Sequence, residues 1–187
     1  MPTTARWFAT AVAVITLAVI TLAGAAITTA DARVVARAHA LCGVERWTVK
    51  TLQDRPSLLP VRTVTLRFLV TRPAPPYLPE TRLPFERHVY RVVAAVTLVR
   101  PEDDGDYHLV LRDHGRTMIA ETPMLGCTAG ARALMRARMQ AARRSVRLCA
   151  RAAVTGVVFF DYDHGQTGVA PNAIELHPVL RFRCLSG

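Results

Sequence analysis

Apolar and polar positions alternate along three neighbouring stretches of the chain. The first, residues 88–98, is rich in β-branched residues, which favour strands. Residues 107–113 and 117–122 alternate in the same way, and Gly-containing turns at 101–106 and 114–115 separate the three stretches. The pattern predicts a three-stranded meander.

A helical period follows the meander. Four apolar residues recur at steps of three and four positions, which places them on one side of an α-helix. They are Met135, Met139, Ala142 and Val146. An adjacent face carries Arg132, Arg136, Arg143 and Arg147. Because no aromatic residue is interleaved to stack on bases, we predict that the apolar stripe packs in the core and that the arginines are solvated rather than bound to nucleic acid or acidic lipid.

Two further strands are predicted after the helix, at residues 153–161 and 174–183, and a polar loop at 162–173 separates them. Three strands, one helix and two strands is the element order of the five-stranded OB barrel. A closed barrel also leaves no long strand edge exposed. We therefore predict a mainly β, OB-like five-stranded barrel with one helix between strands 3 and 4. An open α+β sheet with the same elements is the alternative.

Residues 1–40 have the pattern of an export signal. Arg6 precedes a stretch at 7–30 without any charged residue, and small residues in A-x-A spacing follow at 30–32 and 38–40. An uncleaved membrane anchor is the alternative, since about 20 apolar residues span a bilayer. Either form predicts a secreted or envelope protein that contacts the membrane only through this segment.

The remainder of the chain is expected to contain one domain. Residues 41–87 are Pro-rich and are predicted to be an extended lead-in to the barrel at 88–187. Within the lead-in, residues 61–70 alternate only partly and fit either a strand or a helix.

All four cysteines follow the predicted leader. An even number in an oxidising compartment indicates two disulfides. Three pairings are open, and we favour Cys42 with Cys127 and Cys149 with Cys184, from the segments in which they lie. A zinc site is the weaker alternative, because no C-x-x-C pair occurs.

Charge first suggests a nucleic-acid partner, since the chain carries a net charge of +10. The predicted turn at 101–106 nevertheless holds four carboxylates, and an OB barrel places that turn beside its usual binding face. They are Glu102, Asp103, Asp104 and Asp106. Exposed there, they would repel a phosphate backbone, so nucleic acid is disfavoured. They could hold Ca²⁺ or Mg²⁺, but the spacing is not that of an EF-hand, and a solvated turn is the simpler interpretation.

Several strings resemble a family of largely uncharacterised bacterial exported proteins. They are EDDGDYHLVL at 102–111, TMIAE at 117–121, FFDYDHGQTGVAPNAIELHPVL at 159–180, and short pieces at 45–47 and 49–52. The resemblance implies an OB-like domain behind a signal peptide and brings no established activity. This chain departs from the family in a shorter, more Arg-rich helix region and in its additional pair Cys149 and Cys184.

Polar residues converge at the loop 162–173 and the strand after it. Alternation places Ile174 and Leu176 inward and leaves Glu175, His177 and Val179 on the opposite face. The candidate binding residues are His108, His164, Gln166, Asn172, Glu175 and His177. If the three histidines met beside Asp161 or Glu175, they could form a transition-metal or hydrolytic site. Each histidine could equally be a structural hydrogen-bonding group. No cofactor is predicted, and a divalent metal ion stays an open option.

No nucleophile motif is present, because the serines lack a G-x-S-x-G context and the cysteines are expected to be bridged. We therefore predict a binding or interaction module of the cell envelope with an unidentified ligand, rather than an enzyme. The alternative is a metal-dependent hydrolase of phosphodiesters, like the thermonuclease-type OB barrels. Its candidate residues would be Arg112, Asp113, Arg116 and Glu121.

Overall fold

A computed structural model describes residues 42–43 and 45–187 of the chain. The helices are α1 (Trp47–Lys50), α2 (Leu66–Val70) and α3 (Ala133–Ser145), and short 3₁₀ turns occupy Pro84–Arg87 and Leu125–Thr128. The strands are β1 (Arg62–Thr63), β2 (Val89–Pro101), β3 (Tyr107–Asp113), β4 (Arg116–Thr122), β5 (Cys149–Phe160) and β6 (Ile174–Ser186).

Strands β2 to β6 close into a barrel. Their order is β2-β3-β4-β6-β5, and β5 pairs back with β2. Within the barrel, every pairing is antiparallel except that of β4 with β6, which is parallel and joins only two residue pairs, Ile119 with Glu175 and Ala120 with Leu176. The prediction of a five-stranded barrel with one helix between its third and fourth strands is confirmed, and the open-sheet alternative is wrong.

The barrel interior is filled by alternate residues of its strands. Leu109 and Leu111 of β3, Met118 and Ala120 of β4 and Leu176 of β6 all belong to the main core. Val179 differs from the prediction, because it packs in this core instead of facing outward. The pairing of β5 with β6 shifts register on both sides of Gly156, and this bulge changes the face to which later residues of β6 point.

Helix α3 uses the predicted apolar stripe. Met139 and Ala142 are buried, and Met135 and Val146 pack beside them. One of the arginines expected to be solvated is engaged: the Arg143 guanidinium donates to the carbonyls of Thr122 and Gly105 at 2.7 and 2.8 Å. This arginine therefore fastens α3 to the end of β4 and to the turn before β3.

The Pro-rich segment before the barrel packs against it. Residues 61–70 contain both candidate structures, since β1 pairs with β2 and α2 places Leu66 and Leu69 in the main core. The side chain of Thr65 accepts a hydrogen bond from the Phe68 amide and begins α2.

Two disulfides join the predicted partners, Cys42 with Cys127 and Cys149 with Cys184, and no cysteine is free. The alternative, a zinc ion bound by the cysteines, is therefore wrong. Disulfides of this kind are typical of an oxidising, extracellular environment. The predicted export signal at 1–40 lies outside the described residues. Within the described part of the chain, no helix is both long and apolar enough to cross a membrane.

Candidate functional site

A group of histidines and carboxylates lies on the outer face of β3, β4 and β6. Because Leu109 and Leu176 point into the barrel, their neighbours in sequence point outward. We call the group the His–carboxylate cluster. Its members are Glu102, Asp106, His108, Glu121, Glu175 and His177. All except Glu102 are buried.

His108 is fixed by the loop before β6. Its Nε2 atom lies 2.8 Å from the backbone oxygen of Thr167. Since a carbonyl can only accept a hydrogen bond, Nε2 carries a proton. Nδ1 then faces the cluster, 3.1 Å from Glu121 Oε1 and 3.3 Å from Glu102 Oε1. A histidine held by a carbonyl on one nitrogen and facing carboxylates on the other is typical of oriented metal-ligating histidines.

His177 is fully enclosed, with three carboxylates around its ring. Nδ1 lies 3.1 Å from both Glu121 Oε2 and Glu175 Oε1. Nε2 lies 3.4 Å from Asp106 Oδ2, yet it makes no hydrogen bond with any residue that the structure describes. The ring of His177 and that of Phe159 are in T-shaped contact, with ring centroids 5.8 Å apart. A buried imidazole nitrogen without a hydrogen bond is costly, so this atom is the least satisfied point of the cluster.

Asp106 is not part of a solvated turn, contrary to the simpler interpretation of the acidic stretch. Its Oδ1 accepts a hydrogen bond from the Met124 amide at 2.9 Å, and its own amide donates to Asp104 Oδ1 at 3.0 Å. These bonds turn Oδ2 towards His177. Asp106 therefore points inward, because it finds a donor on a neighbouring loop, whereas Asp103 of the same turn is exposed.

An N-terminal segment covers the cluster. We call residues 45–55 the cover segment; the bridge from Cys42 to Cys127 lies beside it. The Arg46 guanidinium is buried and donates to both carboxylate oxygens of Glu86, at 2.6 and 2.8 Å, and to the carbonyl of Phe160. Lys50 Nζ lies 3.0 Å from Asp161 Oδ2. The cover segment thus brings two cations to an acid-rich surface.

The surroundings shift the pKa values of Glu121 and Glu175 in opposite directions. Burial raises the pKa of Glu175 to about 7, and the negative charge of Glu121 acts in the same direction. Burial would also raise the pKa of Glu121, but hydrogen bonds with His108 and His177 outweigh it and hold this pKa well below its usual range. Glu121 is therefore the ionised centre of the cluster.

The negative charge of the carboxylates also changes the pKa values of His177 and Lys50. Burial alone would lower the pKa of His177, but contacts with Asp106, Glu121 and Glu175 raise it well above the usual value. Burial likewise opposes charge on Lys50, and the carboxylates of Glu175, Asp161 and Glu121 raise its pKa. Without another cation, the cluster must therefore hold extra protons to balance its carboxylates.

The structure separates the sequence-predicted residues into two groups. His108, Glu175 and His177 meet in the cluster. His164 is exposed, and its Nε2 lies 3.1 Å from Glu45 Oε2. Gln166 makes bonds within its own loop, to the His164 amide and the Tyr162 carbonyl.

Asn172, the sixth predicted residue, has a structural contact. Its buried side-chain amide donates to the carbonyls of Leu69 and Arg72, both at 3.0 Å. It therefore ties the end of α2 to the loop before β6.

Sequence reasoning did not include four residues in this site: Glu102, Asp106, Glu121 and Lys50. For Glu121 a signal existed: a two-residue turn at 114–115 fixes the register of β3 and β4, so that His108 faces Glu121. No comparable local signal exists for Asp106 or Lys50, because loop folding and the cover segment bring them in.

The residues considered for a nuclease site are divided between the two ends of the β3–β4 hairpin. Asp113 pairs with Arg116 at the turn, whereas Glu121 pairs with His108 at the other end. Arg116 and Glu121 are five residue steps apart along the strand, roughly 17 Å at about 3.4 Å per step. These residues therefore do not share one site.

Two overlapping groups in the cluster have the spacing of metal ligands. One is Glu102, His108 and Glu121, and the other is Asp106, Glu121 and His177, with the ligand atoms of each group within 4.8 Å of one another. The second group is entirely buried and includes the nitrogen without a hydrogen bond. It is the better candidate, because the nitrogen that the first group offers, His108 Nδ1, already engages Glu121 Oε1.

Comparisons with known proteins add little to these observations. No protein-family model matches the chain, and no curated protein matches it. The chain is similar to a solved structure from Leishmania major assigned as an aspartyl-tRNA synthetase, with 12% sequence identity and a TM-score of 0.43. The similarity covers 67% of this chain and 21% of that one. The resemblance to an exported bacterial family therefore stays a prediction.

Proposed function

We propose that this protein is an exported binding module of the cell envelope that holds one divalent transition-metal ion on Asp106, Glu121 and His177. The observation that carries the proposal is the contact between His177 Nε2 and Asp106 Oδ2. The two atoms are buried and 3.4 Å apart, without a hydrogen bond between them. Ligands about 2.0–2.2 Å from a tetrahedral ion lie roughly 3.3–3.6 Å from each other. The pair thus has the spacing of two ligands on one ion.

The surroundings of His177 support this assignment. With Nε2 on the ion, Nδ1 would donate its proton to Glu175 Oε1, 3.1 Å away. Such a carboxylate fixes the tautomer of a ligating histidine. One imidazole with carboxylate oxygens favours Zn²⁺ or a similar transition metal over Ca²⁺, which prefers oxygen alone.

Charge balance gives a second reason. Burying several carboxylates together is unfavourable unless cations accompany them. Protons supply that charge when the cluster is metal-free, since the pKa values of His108, His177 and Glu175 are all raised, that of Glu175 chiefly by burial. A divalent ion would replace these protons, so binding should release protons and weaken as the pH falls.

Burial of the cluster favours binding over the alternative of phosphodiester hydrolysis. A catalytic metal needs a coordination position that substrate can reach. Asp106, Glu121 and His177 are all buried, and the cover segment lies over this face. The export part of the proposal rests on the sequence of residues 1–40 and on the two disulfides.

Zinc titration of the purified, chelator-treated protein tests the proposal. We expect one Zn²⁺ per chain, and a loss of affinity of at least 100-fold in His177→Gln. His164→Gln is the matched control, because His164 is a solvent-exposed histidine of the same chain whose partner is Glu45. Glu121→Gln provides a second variant if His177→Gln does not fold.

Three outcomes would contradict the proposal. The parent protein could fail to bind Zn²⁺ at millimolar concentration, or the His164 variant could lose as much affinity as the His177 variant. Turnover of a phosphodiester by the zinc-loaded protein, lost in His177→Gln, would instead establish the hydrolase.

A further inference from the structure

A groove on the outside of the barrel is formed without any residue of the His–carboxylate cluster. It lies between the segment before β1 and helix α3, and strands β2, β5 and β6 form its floor. Its volume is about 850 Å³, which is within the range of small-molecule sites. The groove is therefore large enough for a ligand of its own.

The walls of the groove are apolar. Val89 and Leu180 lie on its floor, and Met135 of α3 forms one side. Leu59 and Val61 form the other side and remain 39% and 56% exposed. Large apolar residues gathered around an open concavity indicate a surface that contacts an apolar ligand.

Three arginines complete the lining. They are Arg91, Arg138 and Arg181. No acidic residue lines the groove, and none of the three guanidinium groups makes a hydrogen bond or ion pair with a residue that the structure describes. Arg138 and Arg181 are exposed and Arg91 is partly buried. The groove thus combines an apolar floor with positive charge that has no partner.

We propose that this groove, which we call the Arg-lined groove, binds a single-chain anionic amphiphile such as a long-chain fatty acid. The alkyl chain would cover the floor around Val89 and Leu180, and the acid group would lie among the arginines. Charge complementarity selects this ligand, since the apolar surface accepts any alkyl chain but the guanidinium groups accept only an anion. The proposal is independent of the metal site, because the two sites share no residue.

Calorimetric titration of the purified protein with dodecanoate, below the concentration at which it forms micelles, tests this proposal. We expect one dodecanoate per chain. Octanoate lacks four methylene groups, each contributing about fourfold when buried, so it should bind up to about 200-fold more weakly. Dodecyltrimethylammonium has the same alkyl chain with the opposite charge and should bind at least tenfold more weakly than dodecanoate.

Two pairs of variants on α3 distinguish the groove from general surface binding. Ala141→Trp fills the groove and should abolish binding, whereas Ala137→Trp alters an exposed alanine of the same helix outside it. Arg138→Gln should weaken binding roughly tenfold, whereas Arg144→Gln removes an exposed arginine that does not line the groove and should leave affinity unchanged.

The proposal is overturned if dodecanoate does not bind below millimolar concentration. It is also overturned if the parent protein and Ala141→Trp bind equally, or if the cationic amphiphile binds as tightly as the anionic one. Because all four variants lie on the surface of α3, circular dichroism should show each of them folded.

Discussion

The two charged regions of this molecule differ in how far water reaches them. In the His–carboxylate cluster, acidic side chains are packed against histidines beneath the cover segment, and only Glu102 is partly exposed. In the Arg-lined groove, basic side chains lie around an open apolar surface with no partner among the described residues. The net charge of +10 therefore does not show where charge is exposed, because several carboxylates are buried in the cluster and arginines remain at the surface.

The difference in exposure should appear most clearly in the loss of stability when one partner of a buried ion pair is removed. Arg46→Met deletes the guanidinium that joins the cover segment to Glu86 and leaves that carboxylate buried without its cation. We expect a loss of about 3–5 kcal/mol in the free energy of unfolding, measured by urea denaturation. Arg100→Met is the control: Arg100 pairs with Glu102 at the surface, so its loss should be below about 1 kcal/mol. Similar losses in both variants would mean that the cover segment is not held by this pair.

The dependence of stability on pH tests whether the folded cluster binds extra protons. The pKa of Glu175 is about 7 in the folded protein and about 4.5 as its usual value, so between these pH values the folded state binds more protons than the unfolded state. Stability should therefore fall as the pH rises from 4.5 to 7, by on the order of 3 kcal/mol from this group. Glu175→Gln removes that fall.

The pH measurement requires chelator, since a bound ion would displace the protons. His177, whose pKa is also raised, contributes a further loss of stability above pH 6.5, and this loss should persist in Glu175→Gln. If the parent and the variant show the same dependence of stability on pH between 4.5 and 7, the pKa of Glu175 is not raised.

Glycine substitutions in the loop 162–173 test how closely it packs over the cluster. Gly168 has φ +86°, and an added Cβ would lie 2.6 Å from a methyl group of Val110. Gly165 has φ +75° but open space around it. Both alanine variants therefore strain the backbone, and only Gly168→Ala also crowds β3. We expect Gly168→Ala to cost about 1–3 kcal/mol more than Gly165→Ala in thermal or chemical unfolding; equal costs would contradict the observed packing.

The smallest effect should come from the exposed histidine. His164 contacts Glu45, but the two side chains are 51% and 42% exposed. His164→Gln should change the free energy of unfolding by no more than about 0.5 kcal/mol, because exposed ion pairs are weak and screened by salt. A loss of more than 1 kcal/mol would place His164 among the groups that hold the cover segment.

Much of the barrel could be predicted because its signals are local. The alternation of Leu109 and Leu111 with their neighbours indicated a half-buried strand, and the spacing of Met135 and Met139 indicated a helix. Val179 was placed on the wrong face because the bulge at Gly156 depends on pairing between β5 and β6. Strand alternation holds only as long as the register is uninterrupted.

The site was predicted only in part, for a related reason. His108, Glu175 and His177 stand on strands, so alternation alone placed them on the outer face. Asp106 enters the cluster through a bond to the Met124 amide, and Lys50 enters on the cover segment. Contacts between loops distant in sequence leave no periodic pattern in the chain.

The short parallel pairing of β4 with β6 makes the position of the cluster important for the stability of the barrel. Only two residue pairs join these strands, whereas seven join β3 with β4. Glu121 lies one position beyond the pairing on β4, and His177 lies one position beyond it on β6. An ion bound by both side chains would cross-link β4 and β6 where only two residue pairs join the strands. Metal binding would therefore determine how readily β4 and β6 separate.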